Sequence, residues 1–120
     1  MAVRAVRGAT RLTQDDPAEM ADAVSELLDE MFVRNGLTTD QLISIVFTAT
    51  ADLVSGFPAT AARRLDLADV PLLCAQELQV TGALSRVVRV MATVETDLRR
   101  DQVAHVYLRG AEVLRLDLAQ

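Results

Sequence analysis

Seven polar side chains that could take part in chemistry are spread along the chain: Arg7, Arg63, Cys74, Glu77, Arg89, Tyr107 and Arg115. Four of them are arginines, whose forked guanidinium groups suit a small substrate that carries more than one carboxylate. Glu77 could accept a hydrogen bond from a substrate hydroxyl, whereas Cys74 has no base near it in the sequence to make it a nucleophile. The set predicts a pocket that positions a substrate and places fixed positive charge where negative charge develops.

Arg89 lies in the middle of the segment richest in β-branched residues, which predicts a strand over residues 87–94. The period-2 pattern divides this strand into one face with Val88, Val90, Ala92 and Val94 and another with Val87, Arg89, Met91 and Thr93. A charge among apolar neighbours is costly unless it is paired or used. Arg89 is therefore expected to face solvent, to pair with a glutamate, or to belong to a site.

The composition indicates one globular domain over residues 1–120 and excludes several functions. Of the 120 residues, 51% are hydrophobic, and the net charge is −5 with only 3% aromatic residues, unlike a nucleic-acid-binding face. A single Cys and a single His argue against a disulfide framework, a metal site of these ligands or a Ser-His-Asp triad. No apolar segment has the length of a membrane span or a signal sequence, so we expect a cytoplasmic protein without a membrane partner.

The remaining patterns alternate between strands and helices and predict an α+β domain with a mixed sheet. A helix is expected from Pro17, with Asp16 as its cap, to Asn35, and a second one from Pro58 to about Leu67. A short turn is expected at 39–41, a buried strand at 42–48 and a loop at 49–56. Further strands are expected at 2–7, ending at Gly8, at 70–73, followed by a loop with Cys74 and Glu77, and at 103–108.

Three side chains allow two interpretations each. Arg7 either projects from the edge of the sheet into a site or is a surface charge. The lone His105 is either a structural histidine or a base. Tyr107 needs a polar partner if it is buried, and a ligand carboxylate would serve.

Eight short segments in the same order resemble the monofunctional, homotrimeric chorismate mutases of the pseudo-α/β-barrel class. They are Arg4-Ala-Val-Arg-Gly-Ala-Thr10, Phe57-Pro-Ala59, Cys74-Ala-Gln-Glu77, Arg86-Val-Val-Arg-Val-Met91, Thr96-Asp97, Asp101-Gln102, His105-Val-Tyr-Leu108 and Leu114-Arg115. The resemblance implies a trimer around a sheet-lined core, with helices on the outer face and three active sites between neighbouring subunits. It also implies the Claisen rearrangement of chorismate to prephenate without metal or cofactor.

The resemblance assigns expected roles to individual residues of this chain. Arg89 is expected to bind the ether oxygen of chorismate, Arg7 with Tyr107 a carboxylate, and Glu77 the ring hydroxyl, with Cys74 beside it. The substrate-binding set is completed by residues expected to form apolar wall, polar backbone contacts or a closing charge: Phe57, Ala59, Arg63, Leu73, Leu114 and Arg115.

Two positions depart from the family pattern, and two other functions stay open. Thr60 stands where a basic residue is expected, and Leu116 replaces an expected proline, which affects substrate capture and the C-terminal lid respectively. An enamine or imine deaminase of the similar trimeric superfold would also use an interfacial arginine. A trimeric module that binds an aromatic carboxylate without chemistry is the other alternative.

Overall fold

The chain forms one mixed sheet with its long helix packed on one face, whereas the C-terminal residue Leu114 packs with Ala9, Val87 and Tyr107 on the other. The computed structural model describes residues 1–118, and the side chains of residues 1–115. The strands are β1 Ala2–Arg11, β2 Leu42–Ala49, β3 Leu72–Gln76, β4 Val87–Thr96 and β5 Val106–Leu108, and the α-helices are α1 Pro17–Asn35 and α2 Val113–Leu118. Three 3₁₀ helices span Thr39–Gln41, Pro58–Leu65 and Arg100–Gln102. The predicted mixed sheet is confirmed.

The strand order β3-β2-β4-β1-β5 places β4 at the centre and β3 and β5 at the two edges. β4 pairs antiparallel with β1 and β2, while β3 runs parallel to β2 and β5 parallel to β1. The predicted alternation of β4 is confirmed, because Val88, Val90, Ala92 and Val94 are buried while Arg89 and Met91 are exposed. Arg89 therefore projects from the face opposite the main core, the open face, which carries only the small cluster around Leu114.

Helix α1 forms as its end signals predict and covers the other face of the sheet. The Asp16 carboxylate accepts a hydrogen bond from the Glu19 backbone N–H at 2.8 Å, and Gly36 closes the helix with φ of 59°. The predicted apolar positions are at most 2% exposed and pack on buried residues of the central strands: Met20, Val24, Leu27, Leu28 and Met31. This main core fixes the sheet that carries the site on its other face.

Gly8 does not end the first strand, and the predicted boundary at Arg7 is wrong. β1 continues to Arg11, and a Cβ at Gly8 would lie 2.7 Å from Met31 Sδ and 3.1 Å from Leu27 Cδ1. Glycine is therefore needed because α1 lies directly against the strand, not because the backbone turns there.

Strand β2 is buried on one face only, which corrects the prediction of burial on both. Ile45 and Phe47 point into the core, whereas Val46 and Thr48 are half-buried on the open face. The unbroken apolar pattern hid this difference, since Val46 lines a cleft rather than a second packed layer.

The edge strands also differ from the prediction. Cys74 and Gln76 belong to β3 rather than to a loop, because this strand continues its parallel pairing with β2 although its residues are mostly exposed. β5 begins only at Val106, since the backbone N–H and C=O of Ala104 bind the Asn35 side chain at 2.7 and 2.9 Å instead of a strand. The second predicted helix is the 3₁₀ helix Pro58–Leu65, which ends at Asp66 with φ of 55°.

Candidate active site

A cleft of about 390 Å³ lies on the open face, across the four strands β2, β4, β1 and β5. Its lining combines two arginines, a carboxylate and a phenol with apolar and small residues: Arg7, Gly8, Val46, Thr48, Glu77, Arg89, Val90, Met91 and Tyr107. Its size is within the usual range for small-molecule sites. Four residues predicted for the site, Arg7, Glu77, Arg89 and Tyr107, thus meet in one cleft.

Arg89 and Glu77 form an ion pair at this cleft. Arg89 Nε lies 2.8 Å from Glu77 Oε1, and the side chains are 44% and 16% exposed. The sequence left open whether Arg89 pairs with a glutamate or belongs to a site, and in the structure it both pairs with Glu77 and lines the cleft. Glu77 directly follows β3, and its backbone N–H donates to the Ala49 carbonyl at 2.9 Å, which extends the ladder by one step.

Thr48 is a site residue that the sequence interpretation missed. Its hydroxyl Oγ1 donates to Glu77 Oε1 at 2.7 Å. In the sequence, Thr48 is marked only as a hydroxyl residue in an apolar strand, on the face opposite Phe47. Because the sequence predicts burial of that strand on both faces, this pattern does not indicate a site residue. Val46 was missed as a cleft residue for the same reason, whereas Met91 was placed on the face of Arg89 but not assigned to the site.

The other end of the cleft is formed by Arg7 and Tyr107. Tyr107 is only 8% exposed, and it contributes to the cleft wall while packing with Ala9, Val87, Ala111 and Leu114. Leu114 is 9% exposed and belongs to that small cluster rather than to the cleft lining. Arg7 and Tyr107 also line an adjoining cavity of about 400 Å³ together with Arg34, His105 and Arg115. Three arginines, Arg7, Arg34 and Arg115, therefore line this adjoining cavity.

His105 has a structural contact. Its Nδ1 accepts a hydrogen bond from the Arg7 backbone N–H at 2.9 Å, so the neutral ring carries its proton on Nε2. Burial lowers the pKa of His105, and the positive charges of Arg7 and Arg115 lower it further. The neutral ring ties the segment before β5 to β1, which favours the structural interpretation over that of a base.

The remaining predicted residues lie at the opposite edge of the sheet. Phe57, Ala59 and Arg63 line a cleft of about 500 Å³ beside the 3₁₀ helix Pro58–Leu65, and Phe57 is 73% exposed. Thr60 lines this same cleft. The side chain of Leu116 lies outside the described residues.

Leu73 and Cys74 are exposed on the edge strand β3, where Cys74 lines a third cleft together with Phe57. Cys74 and Glu77 line different clefts of the single chain, and the expected position of Cys74 beside Glu77 in the substrate site stays a prediction. The structure therefore divides the predicted residues into two groups at separate places on the chain. We call the first place, with Arg7, Glu77, Arg89 and Tyr107, the Arg89 cleft. We call the second, with Phe57, Ala59, Arg63, Leu73 and Cys74, the Phe57 edge.

The chemistry available in the Arg89 cleft is binding and electrostatic stabilisation. Its guanidinium groups can hold carboxylates through paired N–H donors and can stabilise an oxygen that gains negative charge. Glu77 can accept a hydrogen bond from a hydroxyl. The thiol of Cys74 and the ring of His105 are outside the lining of this cleft, which leaves it without a nucleophile of the Cys or His type.

The chain matches the family model described as chorismate mutase type I over residues 3–118. Chorismate mutase AroH of Thermus thermophilus is 47% identical over 117 residues, which are 97% of this chain and 96% of the relative. Chorismate mutase AroH of Bacillus subtilis is 40% identical over 120 residues, or 99% of this chain and 94% of the relative. The solved structure of a chorismate mutase from Clostridium thermocellum superposes with a TM-score of 0.90 at 43% identity, covering 92% of this chain and 98% of that one.

Proposed function

Because the chain belongs to the type I chorismate mutase family, we propose that the Arg89 cleft is the place where it rearranges chorismate to prephenate. The protein is a chorismate mutase, an isomerase with chorismate as its substrate. This membership decides against the deaminase and the binding module that the sequence left open. One observation carries the assignment of the cleft: a guanidinium, held by a carboxylate, opens into a cavity of substrate size.

The reaction needs no covalent bond to the protein. In chorismate the C–O bond of the enolpyruvyl ether breaks while a C–C bond to the ring forms, so the electrons move in one cycle and no proton is transferred. Negative charge gathers on the ether oxygen as the C–O bond breaks. A donor that is already in place at that oxygen stabilises the transition state more than the substrate, which lowers the barrier.

Arg89 is the donor that fits this task. Glu77 holds its Nε at 2.8 Å, which leaves the terminal nitrogens of the guanidinium to face the substrate. Arg7, assisted by the Tyr107 hydroxyl, binds a substrate carboxylate, and Glu77 accepts a hydrogen bond from the ring hydroxyl. Arg115 lines the adjoining cavity and adds positive charge for the dianion.

This small set of groups can supply the transition-state stabilisation that a large rate enhancement needs. A rate enhancement on the order of 10⁶ needs about 8 kcal/mol of transition-state stabilisation. One charged donor in place before the reaction contributes about 3–4 kcal/mol of this. Holding the substrate in its compact reactive conformer can supply much of the rest. The protein therefore acts through orientation and fixed charge, without acid–base catalysis.

A second subunit completes the active site in this proposal. Phe57, Ala59, Arg63 and Leu73 bind substrate in the family pattern, yet they lie at the Phe57 edge rather than at the Arg89 cleft of the same chain. A neighbouring copy that lays its Phe57 edge beside this Arg89 cleft would bring both groups together. Three copies arranged around one axis close such a head-to-tail contact into a ring.

Exposed apolar side chains support this homotrimer. Val3, Leu73 and Met91 are 59%, 62% and 47% exposed in the single chain. Covering them with another subunit removes apolar surface from water. Light scattering after gel filtration should give three times the 13.0 kDa mass of the chain, whereas a monomer that is fully active would refute the shared site.

The cellular location stays a prediction. Within residues 1–118, no helix combines the length and the apolar character of a membrane span. The chain has a single cysteine, Cys74, which is exposed and free, and this supports a reducing compartment such as the cytoplasm. We propose a cytoplasmic enzyme with one catalytic domain, to be tested by fractionation of the cells that make it.

The function is tested by incubating the purified protein with chorismate. We expect loss of the absorbance of the ring diene, with prephenate as the only product and no requirement for added metal or cofactor. Turnover of an imino acid without loss of chorismate would overturn the proposal. Thermal stabilisation by chorismate without any product would overturn it as well, because that is the result of binding alone.

A further inference from the structure

Thr48 lies between the two charged residues of the Arg89 cleft. In the sheet order β3-β2-β4, strand β2 separates β3, which leads into Glu77, from β4, which carries Arg89. The register places Thr48 directly opposite Arg89 on one side and Ala75 on the other. The Glu77 side chain therefore has to pass over β2 to reach Arg89, and Thr48 is the residue it meets there.

The Thr48 hydroxyl and the Arg89 guanidinium both contact the same oxygen of the Glu77 carboxylate. Thr48 Oγ1 lies 2.7 Å and Arg89 Nε 2.8 Å from Oε1. An ionised carboxylate only accepts hydrogen bonds, so the threonine hydroxyl must be the donor. With the Thr48 hydrogen bond and the Arg89 ion pair both at Oε1, Oε2 is left as the acceptor that can face a ligand.

We propose that Thr48 is a positioning residue that sets the orientation of the Glu77 carboxylate for catalysis. The inference rests on the proposed function, in which Oε2 of Glu77 binds the ring hydroxyl while Oε1 holds Arg89. A β-branched side chain in a strand has few χ1 choices, so the hydroxyl of Thr48 is a fixed point. Glu77 follows an edge strand and is longer, and it depends on that fixed point to stay in one rotamer.

The test uses the isosteric change Thr48→Val, which removes the hydroxyl and keeps the shape. We expect kcat/KM for chorismate to fall about 10-fold, the size of one hydrogen bond to a charged group. The loss should appear mainly in kcat, because a Glu77 that rotates also releases Arg89 from its transition-state position. Thr48→Ser should recover most of the activity, since it restores the hydroxyl alone. Thr93→Val is the matched control, because Thr93 lies on the same strand face as Arg89 but outside the cleft lining.

A double-mutant cycle distinguishes positioning through Glu77 from any other effect. In a Glu77→Ala background, Thr48→Val should change kcat/KM less than 2-fold, because the group that it orients is gone. A loss of the same size in both backgrounds would overturn the inference, and so would wild-type kinetics in Thr48→Val. If Thr48→Val is poorly folded, Thr48→Ala and Thr48→Ser replace it in the same cycle.

The failure of the proposed function gives a different result. If Glu77→Ala alone keeps the wild-type kcat/KM, then the role of Glu77 in the reaction is wrong and Thr48 has nothing to position. If Glu77→Ala is strongly impaired while Thr48→Val is not, then the role of Glu77 stands and only the inference about Thr48 fails.

Discussion

Gly8 offers a direct test of how the sheet under the cleft is supported. In Gly8→Ala the new Cβ would lie 2.7 Å from Met31 Sδ, 3.1 Å from Leu27 Cδ1 and 3.3 Å from the Val106 carbonyl oxygen. The first of these distances is about 1 Å shorter than a comfortable contact between heavy atoms. Met31 and Leu27 are 1% and 0% exposed, so neither side chain can move out into solvent.

The expected cost follows from the crowding. Adding one methyl group to a closely packed core destabilises the folded state by about 1–3 kcal/mol. Replacing glycine also lowers the conformational entropy of the unfolded chain, which stabilises the folded state by about 0.4–1 kcal/mol. We expect the free energy of unfolding of Gly8→Ala to be lower by about 1–2 kcal/mol. Urea unfolding followed by circular dichroism, at one fixed subunit concentration, measures this difference.

Two further variants show whether the crowding is the cause. Gly56→Ala is the matched control, because its nearest contact would be an ordinary 3.6 Å to Pro17 Cβ, so its stability should be unchanged or slightly higher. Met31→Ala removes the closest atom, so the double variant should be at least 0.5 kcal/mol more stable than the sum of the single effects. A Gly8→Ala protein as stable as the wild type would refute the direct packing of α1 on β1.

Two other predictions concern substrate capture and pH. Arg63→Ala should mainly raise KM for chorismate, since the proposed role of this exposed arginine is to guide the dianion. Steady-state kinetics showing a collapse of kcat alone would contradict that role. For His105 the folded pKa is lowered by burial, then by Arg7 and Arg115, so the unfolded chain takes up the proton first as pH falls. The contribution of His105 to stability is thus complete above its ordinary pKa of about 6.5 and is lost as pH falls through the lowered value. Urea titrations from pH 7.5 downward should show this loss relative to a His105→Gln variant, and a relative gain in stability at low pH would contradict it.

Local signals in the sequence were enough to predict the features that depend on neighbours in the chain. The end signals of α1 and the alternation of β4 are of this kind, and they placed Arg89 on the correct face. Even there one detail differs. Glu19 stands three residues after the Asp16 cap, a spacing typical of a capping box, yet its carboxylate accepts hydrogen bonds from the backbone N–H and hydroxyl of Thr13 at 2.6 and 2.8 Å. Thr13, the partner of Glu19 in the structure, lies six residues before it, and no sequence pattern indicates this pairing.

Features that depend on strand order were not predictable from the residues alone. The contact of Glu77 with Arg89 exists because β2 lies between β3 and β4, and Thr48 gains its role from the same order. The sequence predicts a strand end at Gly8, because nothing near Gly8 in the chain shows that Met31 packs against it. The separation of the Phe57 edge from the Arg89 cleft likewise becomes visible only in three dimensions.

The resemblance supplied what local patterns lacked. It assigned Arg7, Glu77, Arg89 and Tyr107 to one substrate, and the structure brings these residues to one cleft. The roles assigned to Phe57, Ala59 and Arg63 require a second subunit, because a single chain keeps them at the other edge. These roles, and that of each cleft residue in the reaction, remain proposals.

The central claim is that the Arg89 guanidinium stabilises the ether oxygen as the C–O bond breaks. The most direct measurement is kcat for chorismate in Arg89→Ala, compared with the wild type at equal subunit concentration, alongside the oligomer mass and unfolding curve of both. We predict that kcat falls by at least 10²-fold, as expected for the loss of one charged donor, while mass and fold are kept. A well-folded Arg89→Ala enzyme with nearly normal kcat would contradict the account.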